Sequence, residues 1–230
     1  MPLSPDDPTA AEQIRQRYLG VDASNVADVL DTLGLPDQGL APAFAPYPAA
    51  AAKLAGWAYT IRGEMRPYPA TGGDPDKMQA CAGLTQGQVS VWSGAGAGVC
   101  FFGELIAIGM KERGCTGALV DGGIRDVAWI GKQDFPVFAR YRTPVQSIGR
   151  WKVTGWGDPV PMPGATVPHV TVHPGDFILA DEDGAICVPR ALAVEVLEAA
   201  EQLGAREVEI RRELGNGLSL AGALAKFGAV

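Results

Sequence analysis

Apolar and polar residues recur along the first sixty residues with the periods of helices and then of a strand. Two helical stretches, residues 9–20 and 22–34, start at candidate caps Thr9 and Ser24 and close on glycines. The segment "LAGWAYTIRG" then alternates well enough to predict a strand ending at Gly63. The chain therefore opens with two short helices followed by the first strand of a sheet or barrel.

The middle of the chain predicts a strand, a helix and a second strand in close succession. "GQVSVW" and "GALVDGG" have the composition of buried strands, and a helix from Glu104 to Arg113 lies between them, with Gly114 as its C-cap. Such a unit of about 30 residues favours a parallel βαβ arrangement. Pro36 to Ala52, "RPYPATGGDPDK" and "SGAGAG" are predicted connections, and "MQACAGL" is a predicted short helix.

The second half is predicted to be mostly β and then helical. "FPVFARYRTP", "GRWKVTGWGDPVPM" and "VTVHPGDFILADEDGAICVP" carry strand patterns, with turns at Gly155 to Asp158 and at Asp183-Gly184. A long amphipathic helix runs from Arg190 to about Leu214, and "SLAGALAKFG" predicts a last helix. We expect one α/β domain over residues 1–230, with a core at about 20–190 and a C-terminal helical extension at about 190–230.

Charge and composition narrow the function classes. The 230 residues include 19 basic and 26 acidic side chains, for a net charge of -7, without the Lys/Arg cluster that neutralises nucleic-acid phosphates. "MPLSPDDPTA" has no basic and apolar signal pattern, and no long apolar run follows. We therefore expect a cytoplasmic protein with no nucleic-acid or membrane partner.

Cysteine and histidine do not indicate a metal cluster or a nucleophile. Cys81, Cys100, Cys115 and Cys187 lack C-x-x-C spacing and lie among small or apolar residues, as packing thiols do. The two histidines share one predicted strand in "VPHVTVHPGD". No His-based metal site and no Ser-His-Asp or Cys-His mechanism is expected.

Two glycine motifs are candidates for anion binding. "VSVWSGAGAG" resembles a dinucleotide or S-adenosylmethionine loop with Asp121 as ribose partner, but "VCFF" separates its glycines from the next helix. Gly103 directly precedes a helix, so that the free N–H groups of Glu104, Leu105 and Ile106 favour a carboxylate or phosphate. An ordinary helix start is the alternative for this stretch.

In "ALVDGGIRD", Ala118-Leu119-Val120 predicts the end of an apolar strand and Asp121-Gly122-Gly123 a turn at the cleft, after which Arg125-Asp126 follow. In a βαβ unit, the helix start and the end of the next strand meet at the carboxyl edge of the sheet, where ligands bind. Helix amides, a guanidinium and a carboxylate suit a 2-oxo acid: Arg125 binds its carboxylate and Asp126 binds Mg²⁺ or Mn²⁺, which polarises the carbonyl. The alternative is a pair of solvated charges at a strand end.

These residues also resemble a known family. "GELIAIGMKERGCTGALVDGGIRD" is similar to the signature of the regulator of ribonuclease activity A (RraA-like) superfamily, in particular its 4-hydroxy-4-methyl-2-oxoglutarate/4-carboxy-4-hydroxy-2-oxoadipate aldolases. "NVADVLDTLG", "LAGWAYTIRG" and "PGDFILADEDGAICVP" are weaker matches, and the resemblance covers roughly residues 20–215. It implies a swivelling β/β/α fold, homotrimers or homohexamers with active sites between subunits, and aldol cleavage that yields pyruvate. Oxaloacetate decarboxylation is a related activity.

The resemblance also implies roles for particular residues. The amides of Gly103 through Ile106 and the guanidinium of Arg125 would hold the 2-oxo acid, Asp126 would ligate the metal, and Glu104 would hold a metal-bound water. A glutamate from the C-terminal region of an adjacent subunit would orient or deprotonate a water, and Glu201 and Glu207 are both candidates.

The alternative from another functional class is a non-catalytic regulator that binds a ribonuclease or another protein, as the name-giving members do. The long C-terminal helix, Arg125 and Asp126 favour the aldolases. The glycine-rich loop "SGAGAGVCF" and the segment "RPYPATGGDPDK" depart from the family pattern, and both are candidates to line the pocket around the distal half of the substrate.

Overall fold

The computed structural model describes residues 3–49, 53–69, 71–94 and 96–228. Their elements, in chain order, are α1 (Pro8–Tyr18), α2 (Ala23–Thr32), β1 (Ala45–Tyr47), β2 (Leu54–Met65), α3 (Pro75–Ala82), β3 (Gln88–Ser93), β4 (Cys100–Phe102), α4 (Glu104–Lys111), β5 (Gly117–Ile124), α5 (Val127–Ile130), β6 (Val137–Arg142), β7 (Trp151–Trp156), β8 (Val160–Pro163), β9 (His169–Val172), β10 (Phe177–Asp181), β11 (Gly184–Val188), α6 (Ala193–Gly215) and α7 (Leu220–Phe227). A single 3₁₀ turn, Arg190–Leu192, leads into α6.

The described strands form one large sheet and a separate hairpin. The order in the sheet is β1-β6-β5-β3-β2-β10-β11, with β4 added beside β5 and β7 beside β2, and it curves into a nearly closed, barrel-like wall. The β2–β3, β3–β5, β4–β5 and β5–β6 pairs are parallel. The parallel unit expected around "GALVDGG" is confirmed, as is the predicted α/β class with flanking helices and a long C-terminal helix.

Both faces of the central strands are buried, which explains their nearly continuous apolar sequences. On β3, Val89 and Val91 belong to one core cluster while Trp92 belongs to another, because successive side chains point to opposite faces of a strand. Helices α3 and α4 cover the cluster that contains Trp92. Helices α1, α2 and the first half of α6 cover a third cluster around Trp57 and Phe177.

The predicted caps of the first two helices are wrong. Helix α1 starts after Asp7, whose Oδ1 accepts a hydrogen bond from the Ala10 N–H at 2.8 Å, rather than after Thr9. An Asp-Pro pair explains this, because proline is favoured in the first turn of a helix. Helix α2 includes Ser24, and the N–H of Ala23 at its start donates to Asp181 of β10 at 2.8 Å. That helix end is therefore satisfied by the sheet and not by a local cap.

Two predicted connections contain regular structure. The loop expected over "RPYPATGGDPDK" ends earlier, because α3 starts at Pro75 with Asp74 as its cap, and Lys77 lies in its first turn. Within the predicted connection from Pro36 to Ala52, Ala45–Tyr47 pairs with β6, and residues 50–52 lie outside the described residues.

The expected turn at Asp121-Gly122-Gly123 is also wrong, because β5 continues to Ile124. Its two glycines are required for close packing. A Cβ on Gly122 would lie 2.2 Å from the ring of Phe101, and one on Gly123 would lie 2.5 Å from the ring of Tyr141. The strand can therefore carry the chain straight to Arg125, with aromatic rings packed against it.

The long helix α6 divides into two parts. Val196, Leu197 and Ala200 are buried against α1 and α2 of the same chain, whereas Val208 is 63% exposed. The first half of α6 therefore packs on the core of its own chain. Among the helices that the structure describes, none combines the length and apolarity needed to cross a membrane.

Candidate functional site

A cavity of about 530 Å³ lies over the carboxyl ends of β4 and β5. Its walls come from the loop after β2, from α3, from the first turns of α4 and from the segment after β6. A second, more open cavity of about 570 Å³ lies beside it and includes Arg142 and Thr143. Arg125 and Asp126 line both cavities, so these two side chains lie where the cavities meet.

Strand pairing sets the position of the charged residues. Strands β4 and β5 run parallel with Phe102 opposite Ile124, and the N–H of Arg125 donates to the carbonyl oxygen of Phe102 at 3.1 Å. The chain then turns into α4 at Gly103 and into α5 at Asp126. The start of α4 and the end of β5, which the sequence predicted to meet, are therefore adjacent.

The N-terminus of α4 is open toward this site. Its first helical hydrogen bond joins the N–H of Ala107 to the carbonyl oxygen of Gly103 at 3.0 Å, and Gly103 supplies no side-chain cap. The N–H groups of Glu104, Leu105 and Ile106 consequently have no acceptor in the helix. Together with the helix dipole, they favour an anion at this end.

Gly103 lies directly against the charged pair. A Cβ added to Gly103 would be 2.9 Å from Oδ2 of Asp126 and 3.3 Å from Cγ of Arg125. Its backbone φ of -159° is ordinary extended conformation, so glycine is needed here for space and not for backbone freedom. The carboxylate of Asp126 is thus packed onto the start of α4.

Arg125 and Asp126 contact each other, although the sequence analysis assigned them separate partners. Nε of Arg125 lies 3.3 Å from Oδ2 of Asp126, and their side chains are 45% and 38% exposed. Asp126 has a left-handed φ of 60° and makes no cap hydrogen bond to α5. A half-exposed pair of this kind contributes about 0–1 kcal/mol, so a ligand can replace the contact at little cost.

Comparison with known proteins places this geometry in a family. The RraA-like family, described as Aldolase/RraA, matches residues 23–187, well over half of the chain. The chain belongs to the RraA-like family. The match includes β4, α4, β5 and the Arg125-Asp126 pair.

Among curated relatives of this RraA-like chain are two proteins named "Putative 4-hydroxy-4-methyl-2-oxoglutarate aldolase". That of Halalkalibacterium halodurans is 35% identical over 101 residues, which is 44% of this chain and 45% of the relative. That of Aromatoleum aromaticum is 38% identical over 109 residues, 46% of this chain and 64% of the relative. The chain thus spans about half to two thirds of the length of these relatives.

The fold is shared with a solved RraA protein. Streptomyces coelicolor RraAS2, described as an unusual member of the RNase ES inhibitor RraA protein family, superimposes with a TM-score of 0.73 at 22% identity. The alignment covers 86% of this chain and 96% of RraAS2. At this identity the likeness establishes the fold.

The RraA-like site also contains a buried cation that sequence analysis missed. Lys77 on α3 lines the cavity and is only 8% exposed. Its Nζ lies 5.7 Å and 5.9 Å from the ring centroids of Trp92 and Trp151. Burial lowers the pKa of Lys77 to about 8, with a further small lowering by Arg125. No feature of "DPDKMQA" distinguishes this lysine from a solvated one, because its burial depends on tryptophans from distant strands.

The two candidate C-terminal glutamates have partners within their own chain. The carboxylate of Glu201 accepts two hydrogen bonds from Arg17, at 2.8 and 2.5 Å, and Arg17 lowers its pKa. Glu207 accepts from Asn25 at 2.8 Å and pairs with Arg211. Neither lies among the residues that line the cavity at Arg125.

Asp126 is the carboxylate at this site that could hold a metal ion. Within the described residues, no three His, Cys, Asp or Glu side chains form a ready-made cluster. Asp126 offers one carboxylate that makes no cap hydrogen bond to α5, is partly exposed and lies next to the free amides of α4. This fits a hard ion such as Mg²⁺, which usually keeps several waters and takes one or two carboxylates plus substrate oxygens, and it does not fit a closed zinc site.

Both segments that depart from the family pattern contribute residues to the cavity. Tyr68, Gly72 and Gly73 of "RPYPATGGDPDK" line the cavity. Cys81 also lines it, and this partly buried thiol packs against the core cluster that contains Trp92. Of "SGAGAGVCF", Cys100 and Phe101 also line the cavity. Gly96 of this segment packs inward, because a Cβ there would lie 2.3 Å from the ring of Phe101.

Proposed function

We propose that this chain is a divalent-metal-dependent class II pyruvate aldolase that cleaves a 4-hydroxy-2-oxo acid to pyruvate and a second oxo acid. The observation that carries the proposal is the meeting of the free α4 amides, Arg125 and Asp126 at the ends of two parallel strands. The relatives named "Putative 4-hydroxy-4-methyl-2-oxoglutarate aldolase" support the reaction class. Oxaloacetate decarboxylation is the related activity that we include.

Each residue of the site has a distinct task in this proposal. Arg125 binds the substrate carboxylate through its planar guanidinium, and the amides of Gly103 through Ile106 bind the remaining anionic oxygens. Asp126 would hold Mg²⁺ or Mn²⁺, and Glu104, in the first turn of α4, would hold a water beside it. When bound, the ion supplies Lewis-acid polarisation of the 2-oxo group. After the 4-hydroxyl group loses its proton to a base, the C3–C4 bond breaks and C4 becomes the carbonyl of the second oxo acid. The electron pair of that bond passes to the 2-oxo fragment as an enolate, and C3 then takes a proton to give pyruvate.

The proposal includes an assembly of identical subunits, a homotrimer or homohexamer. Leu105 is 78% exposed and Met78 and Trp129 are each 55% exposed, and all three lie beside the site. Covering such side chains with another copy would remove apolar surface from water. Glu201 or Glu207 of the neighbour is the candidate base, and would have to leave its present partner. Sedimentation velocity should give three or six times the 24.0 kDa chain mass, and a monomer at micromolar concentration would contradict the assembly.

Pyruvate release tests the reaction. Purified protein is incubated with 4-hydroxy-4-methyl-2-oxoglutarate, 4-carboxy-4-hydroxy-2-oxoadipate and oxaloacetate, with Mg²⁺, Mn²⁺ or EDTA, and pyruvate is measured through lactate dehydrogenase. We expect turnover that EDTA abolishes and either ion restores. A folded protein that releases no pyruvate from any of the three would contradict the proposal and favour the non-catalytic regulator.

Gly103→Ala should separate activity from stability. The added Cβ meets the end of a side chain, Oδ2 of Asp126, which can move at little cost, so we expect the free energy of unfolding to change by less than about 1 kcal/mol. The displaced carboxylate should weaken Mn²⁺ binding and lower kcat/KM by about 10-fold or more, because small misplacements of positioning groups are costly.

Gly155→Ala is the matched control, since a Cβ there has no neighbour within 4 Å. It should leave the Mn²⁺ affinity and kcat/KM unchanged. Equal Mn²⁺ affinity in Gly103→Ala and wild type, measured by isothermal titration, would contradict the placement of the ion at Asp126.

A further inference from the structure

Lys77 has no task in the proposed chemistry, yet it is the most deeply buried cation at the cavity. Within the described residues its ammonium makes no hydrogen bond and no ion pair, and it lies over the faces of Trp92 and Trp151. Burying a lysine in this way is costly unless an anion compensates it. A cation–π contact with two rings recovers only part of that cost.

The two carboxylates nearest to Lys77 in sequence are already occupied. Asp76 pairs with Lys152, whose Nζ lies 3.0 Å from Oδ2 of Asp76. Asp74 caps α3, with Oδ1 accepting from the N–H of Lys77 at 3.4 Å, and its Oδ2 accepts from the N–H of Val153 at 2.9 Å. The cavity also contains Arg113 and Arg125, so three cations face it against the carboxylates of Asp74 and Asp126. The lining has more positive charge than these two carboxylates neutralise.

A second unpartnered polar group lies on the same cavity. Tyr68 lines it, and the Tyr68 hydroxyl is buried without a hydrogen-bond partner among the described residues. Buried hydroxyls are normally satisfied, and an orphan at a cavity wall is explained by a ligand oxygen. Tyr68 and Lys77 come from different elements, so the two observations are independent.

We infer that Lys77, assisted by the hydroxyl of Tyr68, binds a second carboxylate of the substrate, at the end remote from the 2-oxo group. The inference rests on the proposed function for the position of the first carboxylate at Arg125. It makes the chain selective for dicarboxylic 2-oxo acids over monocarboxylic ones. Lys77 is a specificity-determining residue in this scheme, outside the groups that bind the reacting atoms.

The electrostatic surroundings of Lys77 favour a bound anion. Burial lowers its pKa to about 8, and Arg125 lowers it further, while Cys81 and Asp74 on or beside α3 and Cys100 on β4 raise it. A bound carboxylate would raise the pKa and keep the ammonium charged. Without an anion, the ammonium loses its charge as the pH rises through about 8, so dicarboxylate binding should weaken above that pH.

Isothermal titration with two unreactive probes tests this inference. Pyruvate has one carboxylate, and 2-oxoglutarate has the dicarboxylic skeleton of the proposed substrate without its 4-hydroxyl group. With Mg²⁺ present, Lys77→Met should weaken 2-oxoglutarate binding by about 10-fold or more and pyruvate binding by less than about twofold. Tyr68→Phe should cause a smaller loss of affinity, and only for 2-oxoglutarate. The preference for 2-oxoglutarate in the wild type should shrink above pH 8, and in Lys77→Met it should not depend on pH.

Controls keep the test decisive. Lys226→Met makes the same change on exposed α7 and should alter neither affinity. Lys77→Arg retains the charge and should retain most of the preference, which separates loss of charge from misfolding. Equal effects of Lys77→Met on both probes, or no 2-oxoglutarate binding by the wild type, would overturn the inference. A selective effect in a protein that releases no pyruvate would support the dicarboxylate site while the aldolase proposal fails.

Discussion

Asp126→Asn is expected to lower kcat/KM for pyruvate release by at least about 1000-fold, because it removes the one anionic oxygen ligand and with it several kcal/mol of metal-assisted stabilisation. Asparagine keeps the shape of aspartate and tolerates the left-handed φ of 60°, so the backbone should be unaffected. Mn²⁺ binding by titration should be lost in parallel with activity.

The chain supplies a matched control for this variant. Asp134 also has a positive φ, 49°, and is exposed, so Asp134→Asn repeats the substitution in the same backbone class away from the site. Its activity and Mn²⁺ affinity should equal those of the wild type. Full metal-dependent activity in Asp126→Asn would refute the assignment of Asp126.

Arg125→Met is expected to lower kcat/KM by about 100- to 1000-fold, since losing one partner of a charged, bidentate contact costs about 2–5 kcal/mol. The loss should appear mainly as a higher KM, because Arg125 binds the carboxylate in both the ground and transition states. Arg125→Lys should recover only part of it, because an ammonium lacks the planar fork that matches a carboxylate. Steady-state kinetics with a pyruvate-coupled readout measures both parameters.

Arg62→Met is a suitable control for the arginine variants, because Arg62 is exposed on β2 and donates only to the carbonyl oxygen of Pro159 in the described structure. Its kinetics should match those of the wild type. If Arg125→Met changed kcat with KM unaltered, Arg125 would not be the carboxylate-binding group.

Local sequence signals predicted the groups that meet at the ends of β4 and β5. The helix from Glu104 and the strand before Arg125 were predicted, and parallel pairing places the start of the one and the end of the other at one edge of the sheet. The short strand β4 before Gly103 was not predicted. The same signals could not show that Asp126 contacts Arg125 through Oδ2, since that depends on the turn into α5.

Features that depend on distant contacts were missed. The β5 glycines seemed to mark a turn, because glycine commonly does so, but here Phe101 and Tyr141 require them within a strand. Lys77 was assigned to a loop, because Asp74-Pro75 was not taken as a helix start, and its burial comes from Trp92 and Trp151 on other strands. Periodicity within one segment contains no information about such packing.

The most direct measurement of the central claim is a crystal structure of the protein with Mn²⁺ and pyruvate, with anomalous diffraction recorded above the manganese edge. We predict one anomalous peak within coordination distance of the Asp126 carboxylate, with the carboxylate of pyruvate on the guanidinium of Arg125 and near the amides of Glu104 to Ile106. Manganese bound elsewhere, or pyruvate bound without contact to Arg125, would contradict the account.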